Sequence, residues 1–256
     1  MEIKDRVVVV TGAAGGIGGA LARVFAEAGA KRVVCADLDQ AGAEATAEAV
    51  GGIARKVNVA QEKDIQALIE ETERNVGPID LFCSNAGIFT SGGPEKSDEQ
   101  WERIWKINLM AHVYAARHLV PRMAQRGGGY LLNTASAAGL LSQVGSALYS
   151  VTKHAAVGLA EWPALTYGDQ GIKVSVLCPQ AVRTGMTKGH EDSVASVDGM
   201  MEPEPVARAC LEAIRKETFL VLPHPQVLQY MRNKTADYDR WIGGMRKLDR
   251  QYNPRA

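Results

Sequence analysis

The sequence of 256 residues has little cysteine, no net charge and no long hydrophobic run. No stretch reaches the roughly 18 consecutive apolar residues that a membrane-spanning helix needs, and the opening Met-Glu-Ile-Lys-Asp lacks the apolar core of a signal peptide. The 29 basic and 29 acidic residues form no charge run or basic patch that would favour nucleic acid or a membrane surface. We therefore expect a soluble, cytoplasmic protein.

Cysteine and histidine offer no metal-binding pattern. The four cysteines are scattered without the spacing of metal ligands: Cys35, Cys83, Cys178 and Cys210. Three of them lie in apolar runs typical of strands, so buried free thiols are expected rather than disulfides or a metal centre. No motif joins the histidines His112, His118, His154 and His190. The sequence therefore predicts no metal site.

Short β-branched runs alternate along the chain with longer helical patterns, which predicts an α/β fold. Residues 6–11 (RVVVVT) form a run without polar alternation, as expected of a strand that is covered on both faces. This run leads directly into a glycine-rich loop, residues 12–18 (GAAGGIG), and then into a helical pattern over residues 20–28. A second strand pattern, residues 32–36, ends on Asp37.

This order of strand, glycine loop, helix, strand and acidic residue is the fingerprint of a dinucleotide site. The glycines let the backbone approach a pyrophosphate, and the helix N-terminus offers it free N–H groups. Asp37 can accept both ribose hydroxyls of NAD, whereas it would repel the 2′-phosphate of NADP, and neither Ala14 nor Leu38 supplies a cation. The sequence predicts NAD; without the glycine loop, Asp37 could equally be a helix cap or a turn residue.

A second stretch, residues 131–153, carries the candidate chemistry. An apolar strand pattern ends at Ser136, and a helical pattern then presents Tyr149 and Lys153 four residues apart, on one face. A nearby ammonium lowers the pKa of a phenol from about 10, and Ser136 could donate a hydrogen bond to the same substrate oxygen. Such a group can move a proton on or off an alcohol. Tyrosine and lysine at this spacing are common on helices, so the interpretation depends on its context.

Taken together, these motifs resemble those of the short-chain dehydrogenases/reductases over residues 4–223. The resemblance rests on the TGxxxGxG loop at residues 11–18, on Asn85-Ala86-Gly87 after the strand pattern 79–84, on Asn108 in Lys-Ile-Asn-Leu, and on Ser136, Tyr149 and Lys153. It implies a Rossmann-type three-layer sandwich, with a seven-stranded parallel sheet and helices on both faces, in one domain over residues 1–256. It also implies an NAD-dependent oxidoreductase that interconverts a secondary alcohol and a ketone, and a homo-oligomer, either tetramer or dimer.

The resemblance also assigns roles to residues. Tyr149 is expected to exchange the proton, Ser136 to orient the substrate oxygen, Lys153 to hold the nicotinamide ribose and lower the pKa of Tyr149, and Asn108 to place a relay water. Asn108 by itself could equally be a capping or packing amide. Thr184 is expected to bind the carboxamide. The cofactor-binding set that the resemblance implies is Gly12, Gly15, Gly16, Ile17, Gly18, Asp37, Asn58, Val59, Asn85, Ala86, Gly87, Tyr149, Lys153, Pro179, Val182 and Thr184.

The sequence departs from the family's pattern in three places. Asn58-Val59 replaces the usual Asp-Val that meets adenine, so adenine recognition should survive with altered affinity. Pro179-Gln180 replaces Pro-Gly, which should narrow or polarise the substrate pocket. Pro163 falls inside the helix that carries Tyr149, where a proline costs about 3 kcal/mol or more unless a kink relieves it.

The remaining features concern the substrate. Residues 185–203 have the polar, glycine-containing character of a lid, with Met186, Met200 and Met201 as adaptable contacts, although a plain surface loop is the alternative. Residues 226–250 form an amphipathic helical tail that could pack on its own subunit or on a neighbour. A hydrophobic alcohol, ketone or steroid-like substrate is favoured by the expected apolar pocket wall: Ala138, Leu140, Leu141, Val144, Ala181 and Met186. Two alternatives stay open, a 3-hydroxyacyl/3-oxoacyl thioester oxidoreductase and a catalytically silent NAD-binding regulatory protein.

Overall fold

The computed structural model describes residues 1–189 and 191–253. Seven strands form one sheet in which every adjacent pair is parallel, in the order β3-β2-β1-β4-β5-β6-β7. The predicted seven-stranded parallel sheet is therefore confirmed. The strands are β1 (Val7–Thr11), β2 (Arg32–Asp37), β3 (Ile53–Lys56), β4 (Leu81–Ser84), β5 (Gly129–Thr134), β6 (Ile172–Leu177) and β7 (Leu220–Val221).

Helices connect the strands and continue beyond the last one. They are α1 (Gly16–Glu27), α2 (Gln40–Ala49), α3 (Glu62–Asn75), α4 (Asp98–Trp105), α5 (Ala111–Gln125), α6 (Ala138–Leu141), α7 (Ala147–Tyr167), α8 (Pro203–Lys216), α9 (Gln226–Ala236) and α10 (Tyr238–Tyr252). A π-helical turn, Lys106–Met110, joins α4 to α5. None of the helices in the described part of the chain combines the length and apolar character needed to cross a membrane.

The core lies on both faces of the sheet because successive strand residues point to opposite sides. Val8 and Val10 of β1 pack with α1 and α8 on one face, whereas Val9 packs with α3, α5 and α7 on the other. All five residues of β1 are buried, which explains the absence of polar alternation in the sequence. The structure thus has the three predicted layers. The four cysteines are buried and free, as expected.

The strand order reverses between β1 and β4, and at such a switch point the carboxyl ends of parallel strands leave a crevice for a ligand. The glycine loop follows β1 at this edge, Asp37 ends β2, Asn85 follows β4 and Ser136 follows β5. The fold therefore brings the sequence motifs to one edge of the sheet.

Two local features, the start of α1 and the break in the C-terminal tail, differ from the expectations, whereas Pro163 lies inside a helix as expected. Helix α1 begins at Gly16 rather than at Ala20, so the last glycines of the loop belong to the helix itself. Helix α7 continues past Pro163 to Tyr167, and Pro163 is buried within it. The tail is not one helix, because the backbone of Asp237 is extended and its side chain accepts a hydrogen bond from Arg240 N, which caps α10.

Candidate active site

A cleft of about 1500 Å³ runs along the carboxyl ends of the strands. Every residue of the predicted cofactor set except Gly18 lines it, as do the predicted catalytic residues Ser136, Tyr149 and Lys153. Gly18 is buried beneath the loop, and Asn108 is buried beneath the cleft wall. These two residues therefore affect the cleft only through their neighbours. We call the part of the cleft next to the glycine loop the nucleotide half, and the part beside Tyr149 the substrate half.

The glycines of the loop are needed for different reasons. Gly12 and Gly16 have φ values of 70° and 53°, in the left-handed region that favours glycine. A Cβ at Gly18 would lie 2.0 Å from Gly12 O, so packing alone excludes a side chain there. By contrast, Gly15 has an extended backbone and a Cβ there would meet nothing within 4 Å. Gly15 therefore faces open space in the cleft, where a ligand can approach the backbone closely.

The start of α1 suits an anion. Its N-cap is Gly15, and no acidic residue occupies its first turn. The free N–H groups and the partial positive charge of a helix N-terminus attract phosphate. The residues present thus fit the pyrophosphate of a dinucleotide.

Asp37 is fixed at the end of β2 by the backbone around it. One carboxylate oxygen accepts a hydrogen bond from Ala14 N of the glycine loop (3.0 Å), and the other accepts from Asp39 N (3.0 Å). Among the described residues that line the cleft, the lysines and arginines are Lys153 and Arg240. Both belong to helices, α7 and α10, that line the substrate half of the cleft, so neither neutralises a phosphate beside Asp37.

Asn85 lines the cleft and also connects three strands through hydrogen bonds. Its Nδ2 donates to Thr11 O (3.1 Å) and its Oδ1 accepts from Thr134 Oγ1 (3.1 Å). Thr11 Oγ1 in turn accepts from the backbone N–H of Asn85 (2.9 Å). These bonds hold the ends of β1, β4 and β5 in register beneath the cleft. Asn58 is oriented in a similar way, because its Oδ1 accepts from Ala60 N (3.1 Å).

Helix α7 carries Tyr149 and Lys153 into the cleft. Ser146 caps this helix by accepting a hydrogen bond from Tyr149 N (3.1 Å), and Ser146 Oγ donates to Thr90 O (2.5 Å). The helix start is thus anchored one turn before the catalytic pair. Lys153 is 3% exposed, and its Nζ donates to Thr134 O (3.0 Å) and lies 5.6 Å from the centre of the Tyr149 ring.

The electrostatics differ from the sequence expectation. Burial raises the pKa of the Tyr149 phenol, while its hydrogen bond with Ser136 acts in the opposite direction. Burial also lowers the pKa of Lys153 to about 8. The expected lowering of the Tyr149 pKa is therefore absent from the protein alone, because the effect of removal from water on the pKa outweighs that of the hydrogen bond with Ser136.

Ser136 follows β5 and is 8% exposed. Its Oγ accepts from Ala138 N (3.1 Å) and lies 3.4 Å from Pro179 O, to which it can donate. These contacts fix the hydroxyl between α6 and the loop after β6. Phe89, which the sequence reasoning missed, packs edge-on against Tyr149, with 5.3 Å between the ring centres. No sequence signal distinguishes Phe89, because its role depends on the path of the loop after β4.

Asn108 lies in the π-helical turn and is 0% exposed. Its side chain accepts from Ile88 N (2.8 Å) and donates to Ile88 O (2.9 Å), so the amide pairs with both polar groups of one backbone residue. A Cβ at Gly87 would lie 3.3 Å from Asn108 Oδ1 and 3.5 Å from Lys153 Nζ, so both the amide and the ammonium lie next to Gly87. Single-turn π-helices often occur at functional sites.

The substrate half is mainly apolar and includes a wall that the sequence did not identify. Ala138, Leu141, Val144, Ala181 and Met186 line it as predicted. Leu140 does not line it, because it packs into the core and its carbonyl oxygen accepts a hydrogen bond from Lys234. Helices α9 and α10 of the same chain supply the additional wall: Tyr230, Asn233, Trp241, Met245, Leu248 and Tyr252.

The segment predicted as a lid does border the cleft. Met186 and residues 191–195 line it, and Val194–Ser196 forms a single 3-10 turn. Met200 does not line the cleft, and Met201 packs against the core and pairs with Val182. The predicted range also includes His190, which lies outside the described residues.

Comparisons with known proteins agree with this geometry. The family model described as short chain dehydrogenase matches residues 6–195. The chain is 33% identical, over 94% of its length and 91% of the other, to a 1-deoxy-11-beta-hydroxypentalenate dehydrogenase of Streptomyces exfoliatus. It is 32% identical to a cyclohexanol dehydrogenase of an Acinetobacter species, over 81% and 86% of the two chains. The crystal structure of a short chain dehydrogenase/reductase from Burkholderia phymatum in complex with NAD superposes with a TM-score of 0.86 at 27% identity, covering 100% of this chain and 98% of that one.

Proposed function

The chain belongs to the short-chain dehydrogenase family, and from this premise we propose that it is an NAD(H)-dependent oxidoreductase that interconverts a hydrophobic secondary alcohol and its ketone. The observation that carries the proposal is the convergence of Ser136, Tyr149 and Lys153 on one cleft whose other half suits a dinucleotide. The family acts on hydroxyl groups, and we propose that one domain contains the whole site.

In this proposal, each side chain acts through the contact it makes. Tyr149 takes the proton of the alcohol, or returns it to the ketone oxygen. Ser136, whose hydroxyl is held by Ala138 N, orients and polarises the same oxygen. The Lys153 ammonium donates to Thr134 O and retains further N–H groups for the hydroxyls of the nicotinamide ribose. NAD, when bound, supplies the acceptor for the hydride of the carbinol carbon.

The raised pKa of Tyr149 bears on the direction of the reaction. A phenol is already protonated at neutral pH and burial raises the pKa of Tyr149 further, so Tyr149 is ready to donate a proton, which suits ketone reduction. Alcohol oxidation needs the phenolate, so its rate should increase as the pH rises above neutrality. Asn108 supports this group indirectly by holding Ile88 and the loop next to Lys153.

The choice of NAD over NADP rests on Asp37. Its carboxylate lies at the nucleotide half of the cleft, and the lysine and arginine among the described lining residues lie in the other half. A 2′-phosphate would therefore meet negative charge without a counter-ion from the described residues that line this half of the cleft. The neighbour from Burkholderia phymatum has NAD bound, which agrees with this assignment.

The proposed substrate class rests on the walls of the substrate half. Leu141, Val144, Met186, Trp241 and Met245 supply apolar surface there, beside charged lining residues from the segment predicted as a lid and from α10 and its cap: Glu191, Asp192, Asp237 and Arg240. Two relatives act on cyclic alcohols according to their names, the pentalenate compound and cyclohexanol. We therefore propose that the substrate is hydrophobic and consists of one or more fused carbon rings that carry a secondary hydroxyl group.

The test is a panel of secondary alcohols of increasing ring number, assayed for NADH formation at alkaline pH, with the matching ketones assayed for NADH consumption near pH 7. Turnover of cyclic alcohols, with NAD preferred over NADP, is the expected result. NADH binding without turnover of any alcohol or ketone would instead favour a regulatory protein.

We also propose that the protein works in the cytoplasm as a homo-oligomer. Buried free cysteines suit a reducing compartment. Helix α7 exposes an apolar stripe, in which Val151, Trp162 and Leu165 are 46%, 54% and 84% exposed, and Trp105 of α4 is 39% exposed. Exposed apolar patches of this kind mark protein contacts, and a second copy of the chain is the occupant we propose.

A further inference from the structure

The strap, defined as residues 191–202, borders the substrate half of the cleft but has little apolar anchoring. None of its residues 191–200 is buried. The backbone bonds that fix it lie at its end, where Met201 N donates to Ala181 O (3.1 Å) and Arg183 N donates to Met201 O (2.9 Å). A segment with so few buried contacts is expected to open easily unless polar contacts hold it.

Glu202 supplies one such contact at the end of the strap, an exposed ion pair with Arg183 (2.9 Å), and Asp198 supplies those of the middle. One carboxylate oxygen accepts from Gln180 Nε2 (3.1 Å), and Tyr230 Oη lies 3.0 Å and 3.1 Å from the two oxygens. Between residues 192 and 200, which the structure describes completely, Asp198 makes all the side-chain hydrogen bonds to the rest of the molecule. The carboxylate thus joins the strap to two separate elements.

Both of these elements are fixed. Gln180 N donates to His224 Nδ1 (3.2 Å), and His224 Nε2 lies 3.2 Å from Ala181 O, so one imidazole holds the loop after β6 at two points. Helix α9, which carries Tyr230, is anchored where Lys234 Nζ donates to Leu140 O (2.7 Å). The strap is therefore bonded to a rigid cleft wall on one side and to a rigid helix on the other.

We propose that Asp198 is a positioning residue, which pins the strap to Gln180 and Tyr230 and so keeps the substrate half of the cleft formed before substrate arrives. This inference rests on the proposed function. Hydrogen bonds to a charged acceptor contribute more than neutral ones, and removing one partner changes an opening equilibrium by about tenfold or more. Gln180 stands where the family pattern usually has glycine, and the side-chain amide that glycine lacks is the group that reaches Asp198.

Three variants and two controls test the proposal. Asp198→Ala removes the acceptor, Tyr230→Phe removes one donor, and the double variant combines them. As controls, Tyr238→Phe removes an exposed hydroxyl of α10 and Asp169→Ala removes an exposed carboxylate after α7; neither residue lines the cleft, and both changes leave the Asp198 bonds in place. The first measurement is hydrogen–deuterium exchange of the strap amides without substrate, including Gly199, whose N–H donates to Ser196 O (2.8 Å).

The expected result is that the strap amides exchange about tenfold faster in Asp198→Ala and in Tyr230→Phe, and no faster in the controls. Tyr230→Phe should add little in the Asp198→Ala background, because both changes break the same contact. For the substrate, KM should rise about tenfold while kcat and the Kd for NADH change by less than about threefold.

Unchanged exchange in Asp198→Ala, or additive effects of the two substitutions, would overturn the proposal. An equal rise of KM in the controls would also overturn it, because the effect would then not be specific to the pinned carboxylate. A lack of turnover in the unaltered enzyme would refute the proposed function separately, since the exchange measurement needs no substrate.

Discussion

Two glycines of the same loop should respond in opposite ways to the same substitution. Gly15→Ala places a methyl group where no protein atom lies within 4 Å, on an extended backbone that alanine can adopt. Gly18→Ala places it 2.0 Å from Gly12 O and 2.7 Å from Asn85 Nδ2. Gly15→Ala should therefore affect only ligand binding, whereas Gly18→Ala should affect folding.

The magnitudes follow from these contacts. At Gly15, alanine reduces the entropy of the unfolded chain by about 0.4–1 kcal/mol but is a poorer N-cap by a similar amount, so the net change in the free energy of unfolding should stay within about 1 kcal/mol. Its methyl group would occupy the space of the pyrophosphate, and overpacking of this kind costs about 1–3 kcal/mol, or about 5-fold to 150-fold in the Kd for NADH. Gly18→Ala should lose at least about 1–3 kcal/mol of stability, because backbone atoms must move.

The assay combines urea unfolding with titration of NADH fluorescence on each variant. Weak NADH binding by a stable Gly15→Ala protein would support the placement of the pyrophosphate over Gly15. If this variant binds NADH as tightly as the unaltered protein, the dinucleotide does not pass over Gly15 and the reasoning fails. Normal stability of Gly18→Ala would refute the packing argument.

Further predictions concern the cofactor, pH and assembly. Asp37→Ser should raise kcat/KM for NADP relative to NAD by at least about tenfold, since removing one carboxylate near a phosphate relieves about 1–4 kcal/mol; an unchanged ratio would remove the argument for NAD. Burial lowers the pKa of His112 from a usual 6.5 to about 3, so the unfolded chain binds a proton at a higher pH than the folded protein does. The contribution of His112 to the free energy of unfolding is therefore fully present above pH 6.5 and is lost as the pH falls below that value. The loss at pH 5 is about 2 kcal/mol, and His112→Leu should abolish that part of the pH dependence in urea unfolding. Leu165→Lys places a charge in the proposed contact between two copies of the chain, so it should lower the molecular mass measured by light scattering. An unchanged mass would show that the copies contact each other elsewhere.

Much of the fold could be predicted because the sequence is locally consistent with it. The apolar run before the glycine loop and the acidic end of β2 indicated a parallel sheet with a dinucleotide site, and the structure has that sheet. The start of α1 was predicted four residues late, because glycines are poor helix formers and the sequence did not show that Gly16 begins the helix. Pro163 was expected inside the helix that carries Tyr149, and α7 does continue past it to Tyr167, with Pro163 buried.

The parts of the site that could not be predicted depend on contacts distant in sequence. The amphipathic pattern of α10 predicts that the helix has an apolar face, but it does not show which surface that face packs against. The position of α10 beside the cleft is therefore known only from the structure. Gln180 lines the cleft, and the expectation that it narrows or polarises the pocket stays a prediction; the sequence did not reveal that its side-chain amide donates a hydrogen bond to Asp198, 18 residues later. The pKa of Tyr149 was predicted from one neighbour, whereas the extent of burial determines its direction.

The central claim is that Tyr149 exchanges a proton with the substrate while the chain holds the dinucleotide. The most direct measurement compares the single-turnover rate of NADH oxidation by a ketone in the unaltered enzyme and in Tyr149→Phe, together with the Kd for NADH. We expect the rate to fall by at least about 100-fold, with the Kd within about threefold, because only the proton donor is lost. A Tyr149→Phe enzyme that reduces the ketone at the original rate would contradict the account.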